Sequence, residues 1–104
     1  MPQAITINIL NETGSNLAVT QQSGQLVFDK INKALTRGLI VNIDFLNIEL
    51  ITPAFLNAAI GQLYSKYSSN ELQEKIKLQN VLQDDLGLFQ KILNNAKVYF
   101  KVSQ

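Results

Sequence analysis

The sequence contains no cysteine and no histidine. Without thiols there is no disulfide framework and no thiolate nucleophile. Without imidazole, the common zinc ligand sets are gone. The Ser-His-Asp and Cys-His arrangements of nucleophilic catalysis go with them. Tryptophan is also absent, and the five glycines stand singly at positions 14, 24, 38, 61 and 87. No glycine-rich phosphate loop is therefore present. Apolar runs do not exceed three residues, as at Leu39–Val41. Neither a membrane span nor a signal-peptide core is expected from such runs. Charge is sparse: 16% of residues are charged, and nine basic against eight acidic residues give a net +1. Lys30, Lys33 and Arg37, and then Lys97 and Lys101, come near one another, but the basic residues do not gather on one element. A phosphate backbone needs a concentrated basic face, so nucleic acid is not an expected partner. These absences together lead us to expect a soluble, cytoplasmic, non-enzymatic domain with no cofactor and no metal.

What is present is a core in the making. The 104 residues suit one domain spanning 1–104, and 46% of them are hydrophobic. Asparagine (11) and glutamine (10) supply much of the polarity that charge does not. In Ala4–Leu10, Ile5, Ile7 and Ile9 alternate with Thr6 and Asn8, a half-buried strand pattern. Asn11–Asn16 is turn chemistry, and Leu17–Thr20 reads as a short strand returning in a hairpin. From Ser23 to Arg37, Val27, Phe28, Ile31, Ala34 and Leu35 share one helical face, and Gly38 sits where a C-terminal cap belongs. Leu39–Phe45 is almost continuously apolar, as in a central strand covered on both faces, with Asp44 at its carboxyl end.

Thr52-Pro53 is a helix start, a hydroxyl cap followed by proline at the first helical position. That helix is expected to run to about Tyr67, burying Phe55, Leu56, Ala59, Ile60 and Leu63. Gly61 would let it approach the sheet. Lys75–Val81 alternates again, as a third long strand. Asp84-Asp85 then open a helix whose stripe is Phe89, Ile92, Leu93, Ala96 and Phe100. Val98, Phe100 and Val102 also alternate, so the last stretch has a strand reading, but the helical face continues through it. Strands alternating with helices imply parallel pairing by crossover. The expected fold is α/β: a mixed sheet of about four strands with an antiparallel N-terminal edge, packed by about three helices.

Few residues could carry chemistry. Asp44 lies where open α/β sheets place their sites. A receiver-type phosphoacceptor would also need acids at the end of the first strand, which here reads Ile9-Leu10-Asn11. The plainer role for Asp44 is hydrogen bonding to the following loop. Thr52 is the hydroxyl of most interest. A phosphate at a helix N-terminus meets unpaired N–H groups and the positive end of the dipole. Thr52 is equally explained as the helix cap alone. A small anion or nucleotide at the same helix start is a further alternative, opposed by the bulk of Pro53 and Phe55.

The stretch Leu39-Ile-Val-Asn-Ile-Asp44-Phe-Leu-Asn-Ile48-Glu-Leu-Ile-Thr52-Pro-Ala-Phe55, continuing to Gly61, resembles the central signature of STAS domains, the sulfate transporter and anti-sigma factor antagonist family. It is most similar to the bacterial STAS-like branch of unassigned function, with its strand ending Asp-Phe and its Thr-Pro-small-Phe helix start. The likeness covers about Ser23 to Phe100. It implies a signalling module of transcription regulation that binds a protein partner. In the antagonists that partner is a kinase and anti-sigma factor with the histidine-kinase ATPase fold. The resemblance implies a contact surface of Asp44, Asn47, Ile48, Glu49, Thr52, Pro53 and Asn57, with Ile48 as an exposed apolar element in a polar rim. The antagonists switch by phosphorylating a serine at the helix start. Aligned on Asp44, that serine falls at Pro53 and the next at Ala54, neither of which has a hydroxyl. Thr52 falls where the antagonists carry an acid, and so is a displaced phosphorylation candidate.

Overall fold

The computed structural model describes residues 3–100. Three strands form its sheet: β1 (Ala4–Asn8), β3 (Ile40–Asp44) and β5 (Ile76–Gln79), in the order β1-β3-β5. Both pairings are parallel, Ile7 lying opposite Ile43 and Ile43 opposite Leu78. Two further strands, β2 (Leu17–Ala18) and β4 (Leu50–Ile51), make a separate parallel pair. The expected antiparallel edge and fourth sheet strand are therefore absent among the described residues. The reason lies just after β1. Asn8 caps a five-residue helix, α1 (Ile9–Thr13), its side-chain oxygen accepting from the Asn11 N–H at 2.9 Å. Gly14 closes α1 in the left-handed region, φ 71°. This turn of helix leads the chain away from the sheet, and Leu17–Ala18 pairs with Leu50–Ile51 instead of returning beside β1.

α2 (Gln21–Thr36) starts on the Thr20 cap, two residues before the expected Ser23. Its end is as read. Gly38 at φ 75° donates to the Leu35 carbonyl, and Leu39 donates to that of Ala34. This paired closure is the Schellman arrangement, which needs a left-handed residue that glycine adopts without strain. The expected long helix after Thr52 breaks in two. α3 (Pro53–Ala59) gives way to a 3₁₀ segment at Gly61–Ser65, yet Phe55, Leu56, Ala59, Ile60 and Leu63 are all buried as expected. α4 (Ser69–Lys75) occupies the polar stretch between the helix expected to end at about Tyr67 and the strand expected from Lys75. Its signature was a capping box: the Ser68 hydroxyl accepts the Glu71 N–H, and Glu71 stands three residues on. β5 is consequently only four residues long. After a 3₁₀ turn at Gln83–Asp85, α5 (Leu86–Tyr99) carries the helical reading of the C-terminal stretch as far as Tyr99, while Val102 lies outside the described residues.

The core lies on one face of the sheet. Val41, Ile43 and Phe45 are buried there with Val27, Ile31 and Phe55 from the helices, and Phe89 of α5 stands edge-on to Phe45 at 5.1 Å. The opposite face carries Thr6, Asn42 and Lys77 in one register row and Asn8, Asp44 and Gln79 in the next. Thr6, Lys77 and Gln79 are exposed. β3 is therefore not covered on both faces, and its two polar members, Asn42 and Asp44, were the sign. Gly24 of α2 sets the closest approach in the core. A Cβ there would stand 2.6 Å from the Phe55 carbonyl oxygen and 2.7 Å from the Ala58 Cβ of α3. A Cβ at Gly61, by contrast, would meet the Asn57 side chain at 3.3 Å and the Leu56 carbonyl at 3.7 Å, both of α3, and the Ala96 Cβ of α5 at 3.8 Å, so this glycine eases packing among helices rather than against the sheet. Among the described residues no helix is long and apolar enough to cross a membrane.

The two helical glycines at 24 and 87 should respond oppositely to alanine. Alanine favours a helix over glycine by up to about 1 kcal/mol, and nothing lies within 4 Å of a Cβ at Gly87. Urea titrations should show Gly87→Ala neutral or stabilising. Gly24→Ala should cost about 1–3 kcal/mol, because backbone must move to admit the methyl. Equal effects at the two positions would contradict the packing described.

Candidate functional site

The carboxyl ends of the three sheet strands are tied together by one carboxylate. Asp44, last in β3, accepts a hydrogen bond from the Asn80 side chain just after β5 (2.7 Å) and from the Asn8 side chain at the end of β1 (3.3 Å). It also accepts the Leu46 N–H at 2.9 Å, which turns the chain out of the sheet. The Asn80 amide foremost, with the Leu46 N–H and the Asn8 amide, holds the Asp44 carboxyl below its ordinary value against the opposing effect of partial burial. Asp44 thus has the plainer of its two expected roles.

The loop that follows is tightly held. Phe45 donates to the Gln79 carbonyl, Ile48 donates to that of Phe45, and Glu49 donates to that of Asn16. Asn47 turns the chain at φ 63°, a left-handed conformation that asparagine tolerates better than most residues. This geometry points Ile48 inward: it is 4% exposed and part of the core. The expectation that Ile48 is the exposed apolar element is therefore corrected. A buried β-branched side chain anchors the loop, and leucines occupy the outer positions. Leu46 is 49% exposed, and Leu82, in the loop after β5, is 55% exposed. Leu17 and Leu50, opposite each other in the β2–β4 pair, are exposed as well.

Between these loops lies an open cleft of about 1160 Å³. Leu10, Phe45, Ile48 and Val81 give it apolar surface, Leu46 and Leu82 stand at it, and the side chains of Asn16, Asn47, Glu49 and Asn80 add polar groups. Of the residues expected to form a contact surface, Asn47, Ile48 and Glu49 line this cleft and Asp44 braces it through Asn80. The others stand apart. Thr52 caps α3, accepting the Phe55 N–H at 3.3 Å, and its hydroxyl donates to the Val19 carbonyl at 2.6 Å. Pro53 is exposed at the first position of α3. Asn57 lines shallow grooves that α3 forms with α2 and with α5, not the cleft. Asn80, Leu46 and Leu82 were missed from the sequence. The strand-end rule that drew attention to Asp44 applies equally to Gln79-Asn80 at the end of β5, and would have found them.

A family model of STAS-like domains of unknown function (DUF4325) matches residues 23–86, more than half of the chain. The chain belongs to that family. The match runs from α2 through β3, the Phe45–Glu49 loop, α3, α4 and β5 to the first residue of α5. No curated protein and no solved structure matches the chain.

Two substitutions check how firmly this edge is built. Asp44→Ala removes an acceptor of three hydrogen bonds and should cost about 1–2 kcal/mol at neutral pH, the partial exposure of the carboxylate keeping the figure low. Folding lowers the Asp44 pKa, so its contribution is complete above the unfolded-chain value of ~3.9 and is lost as pH falls through the native value. Urea midpoints of wild type and Asp44→Ala should accordingly draw together on acidification, and a gap that widens as pH falls would contradict the assignment. Thr52→Val, which loses both the cap and the bond to Val19, should cost about 1–2 kcal/mol, while Thr52→Ser stays closer to wild type.

Proposed function

We propose that this STAS-like domain is a non-enzymatic recognition module that docks a partner protein through the carboxyl-edge cleft. The observation that carries the reading is the clustering of exposed leucines on loops pinned by backbone hydrogen bonds. Leu46 and Leu82 stand at a cleft with an apolar floor and an amide rim, and the exposed Leu17–Leu50 pair follows directly on its lining residues Asn16 and Glu49. Apolar anchors within a polar rim are the usual anatomy of a protein interface, and loops held this rigidly lose little freedom on binding. The residue inventory supports the absence of bond-making chemistry. Histidine and cysteine are missing, and the carboxylate at the strand ends already accepts three hydrogen bonds.

The resemblance to anti-sigma factor antagonists makes a histidine-kinase-type ATPase the partner class to test first, and bacterial signalling or transcription regulation the setting. The antagonists' serine switch does not transfer, since Pro53 and Ala54 stand at its positions. Thr52 gains little as a substitute. Phosphorylating it would remove the proton it donates to Val19 and force two charges against a half-buried cap. Regulation in this module would then act on the partner or on occupancy of the cleft.

Ile48→Arg is the wrong probe of this surface, because a buried isoleucine replaced by a charge unfolds the protein. Leu46→Arg and Leu82→Arg alter the cleft from outside. Immobilised wild type should retain a partner that both variants lose, while Lys66→Glu, following the 3₁₀ segment, retains it. Mass spectrometry of the retained protein checks whether it has an ATPase domain. Capture of the same protein by wild type and both leucine variants would refute docking through this cleft.

A further inference from the structure

Acidic residues gather at one end of the strands in this small chain. Residues 8–20, 44–53 and 78–90, which build the carboxyl edge, hold five of the eight acids and none of the nine basic residues. The other end is mixed: Arg37, Lys66 and Lys75 lie just before β3, after the 3₁₀ segment and just before β5, together with Glu71 and Glu74 of α4. Of the five acids, Glu12 is matched by Lys30 at 3.3 Å. Asp44 meets only neutral donors and stays ionised. Glu49 lines the cleft, and Asp84 and Asp85 lie in the 3₁₀ turn that Leu82, a lining residue, opens. No cation among the described residues pairs with these three. The N-terminus of α5 offsets part of the Asp84-Asp85 charge, since a helix end carries roughly half a positive unit. The offset is smaller than the charge, and the edge remains negative.

We infer that the cleft receives a cationic amphipathic segment of a partner protein, its apolar side chains on the apolar floor between Leu46 and Leu82 and its lysines or arginines toward Glu49, Asp84 and Asp85. The inference rests on the docking reading above and adds the partner's chemistry to it. A small cation does not explain the site. No group of three acids able to hold a metal exists among the described residues, and the floor is apolar. A nucleic acid would bring its phosphates to the negative edge. A cleft of about 1160 Å³ also exceeds the ~300–1,000 Å³ usual for one small ligand, and matches several side chains in a row. Complementary charge at such a surface raises the association rate and selects the partner more than it deepens affinity. The preference is therefore modest and salt-dependent.

The test uses two synthetic 12-residue peptides, one of interleaved leucine and lysine, one of interleaved leucine and glutamate, titrated into the whole protein by fluorescence anisotropy. At low salt the lysine peptide should bind on the order of tenfold more tightly, the scale of three exposed charge pairs. The preference should fall as salt is added. It should shrink several-fold in the triple variant Glu49→Gln, Asp84→Asn, Asp85→Asn, and by a smaller factor in Glu49→Gln alone, which leaves the start of α5 intact. Amide resonances of residues 46–50 and 80–85 should shift with the lysine peptide. Equal or reversed preference, a preference that survives in both variants, shifts confined to another face, or no binding of either peptide would each overturn the inference. The docking reading falls by a different result, the insensitivity of partner capture to Leu46→Arg and Leu82→Arg. Binding of the glutamate peptide in the cleft would sink the charge claim and leave docking in place.

Discussion

One carboxylate ties together the carboxyl edge of the sheet and shapes the loop that leaves it. Asp44 closes the central strand and accepts from β1 on one side, from the residue after β5 on the other, and from its own loop ahead. Three parallel strands have no turns joining them, so their ends are free to splay unless something crosses between them. A single side-chain amide from each neighbour does that here. The same contact starts the turn that sends Ile48 into the core and leaves Leu46 outside. The asparagines at 8 and 80 are thus not surface filler in an amide-rich chain. They are the two donors that an ionised aspartate at the end of the middle strand needs, and Asn80 reaches it from a left-handed backbone conformation, φ 58°.

The remainder of the fold rests on how closely α2 meets α3. At Gly24 there is no room for even a methyl group against the Phe55 carbonyl and Ala58. This proximity lets a seven-residue α3 bury Phe55, Leu56, Ala58 and Ala59, although a helix so short has little stability of its own. Thr52 adds a tether, joining the start of α3 to the end of β2 through Val19. Small residues and one hydroxyl thereby fix α3 in place.

The sequence was legible where local chemistry and tertiary structure agree. The stripe of α2 and its glycine closure and the Thr52-Pro53 helix start each had one local solution, and the fold uses it. It was misleading where a pattern had two. Leu17–Thr20 looked like the return of a hairpin because nothing local shows that Asn8 and Gly14 enclose a turn of helix. Leu39–Phe45 looked covered on both faces because its apolar residues outweigh Asn42 and Asp44, although those two share a face. The candidate site was half legible. A strand-end loop was the right place, but which of two neighbouring aliphatics points outward depends on the φ of Asn47 and on the hydrogen bond from Ile48 to Phe45, neither of which periodicity reveals.

Two surfaces of the domain are left without a layer of structure over them, and they differ in kind. The bare sheet face presents Thr6, Lys77 and Gln79 with Asn42 and Asp44 between them. Parallel sheets are usually covered on both sides, so the polarity of this face matters. Its side chains are short amides, hydroxyls and one lysine that water solvates well, and Lys77 on an edge strand discourages pairing with another chain. At the carboxyl edge the composition runs the other way. Leucines are exposed on backbone that is already hydrogen-bonded and cannot fold them in, because Ile48 and Phe45 fill the core beneath. Exposed apolar side chains on an immobile frame cost solvation free energy that the domain cannot recover alone. A partner covering them recovers it. The sheet face has no comparable gain to offer, which is the physical reason for placing recognition at the strand ends.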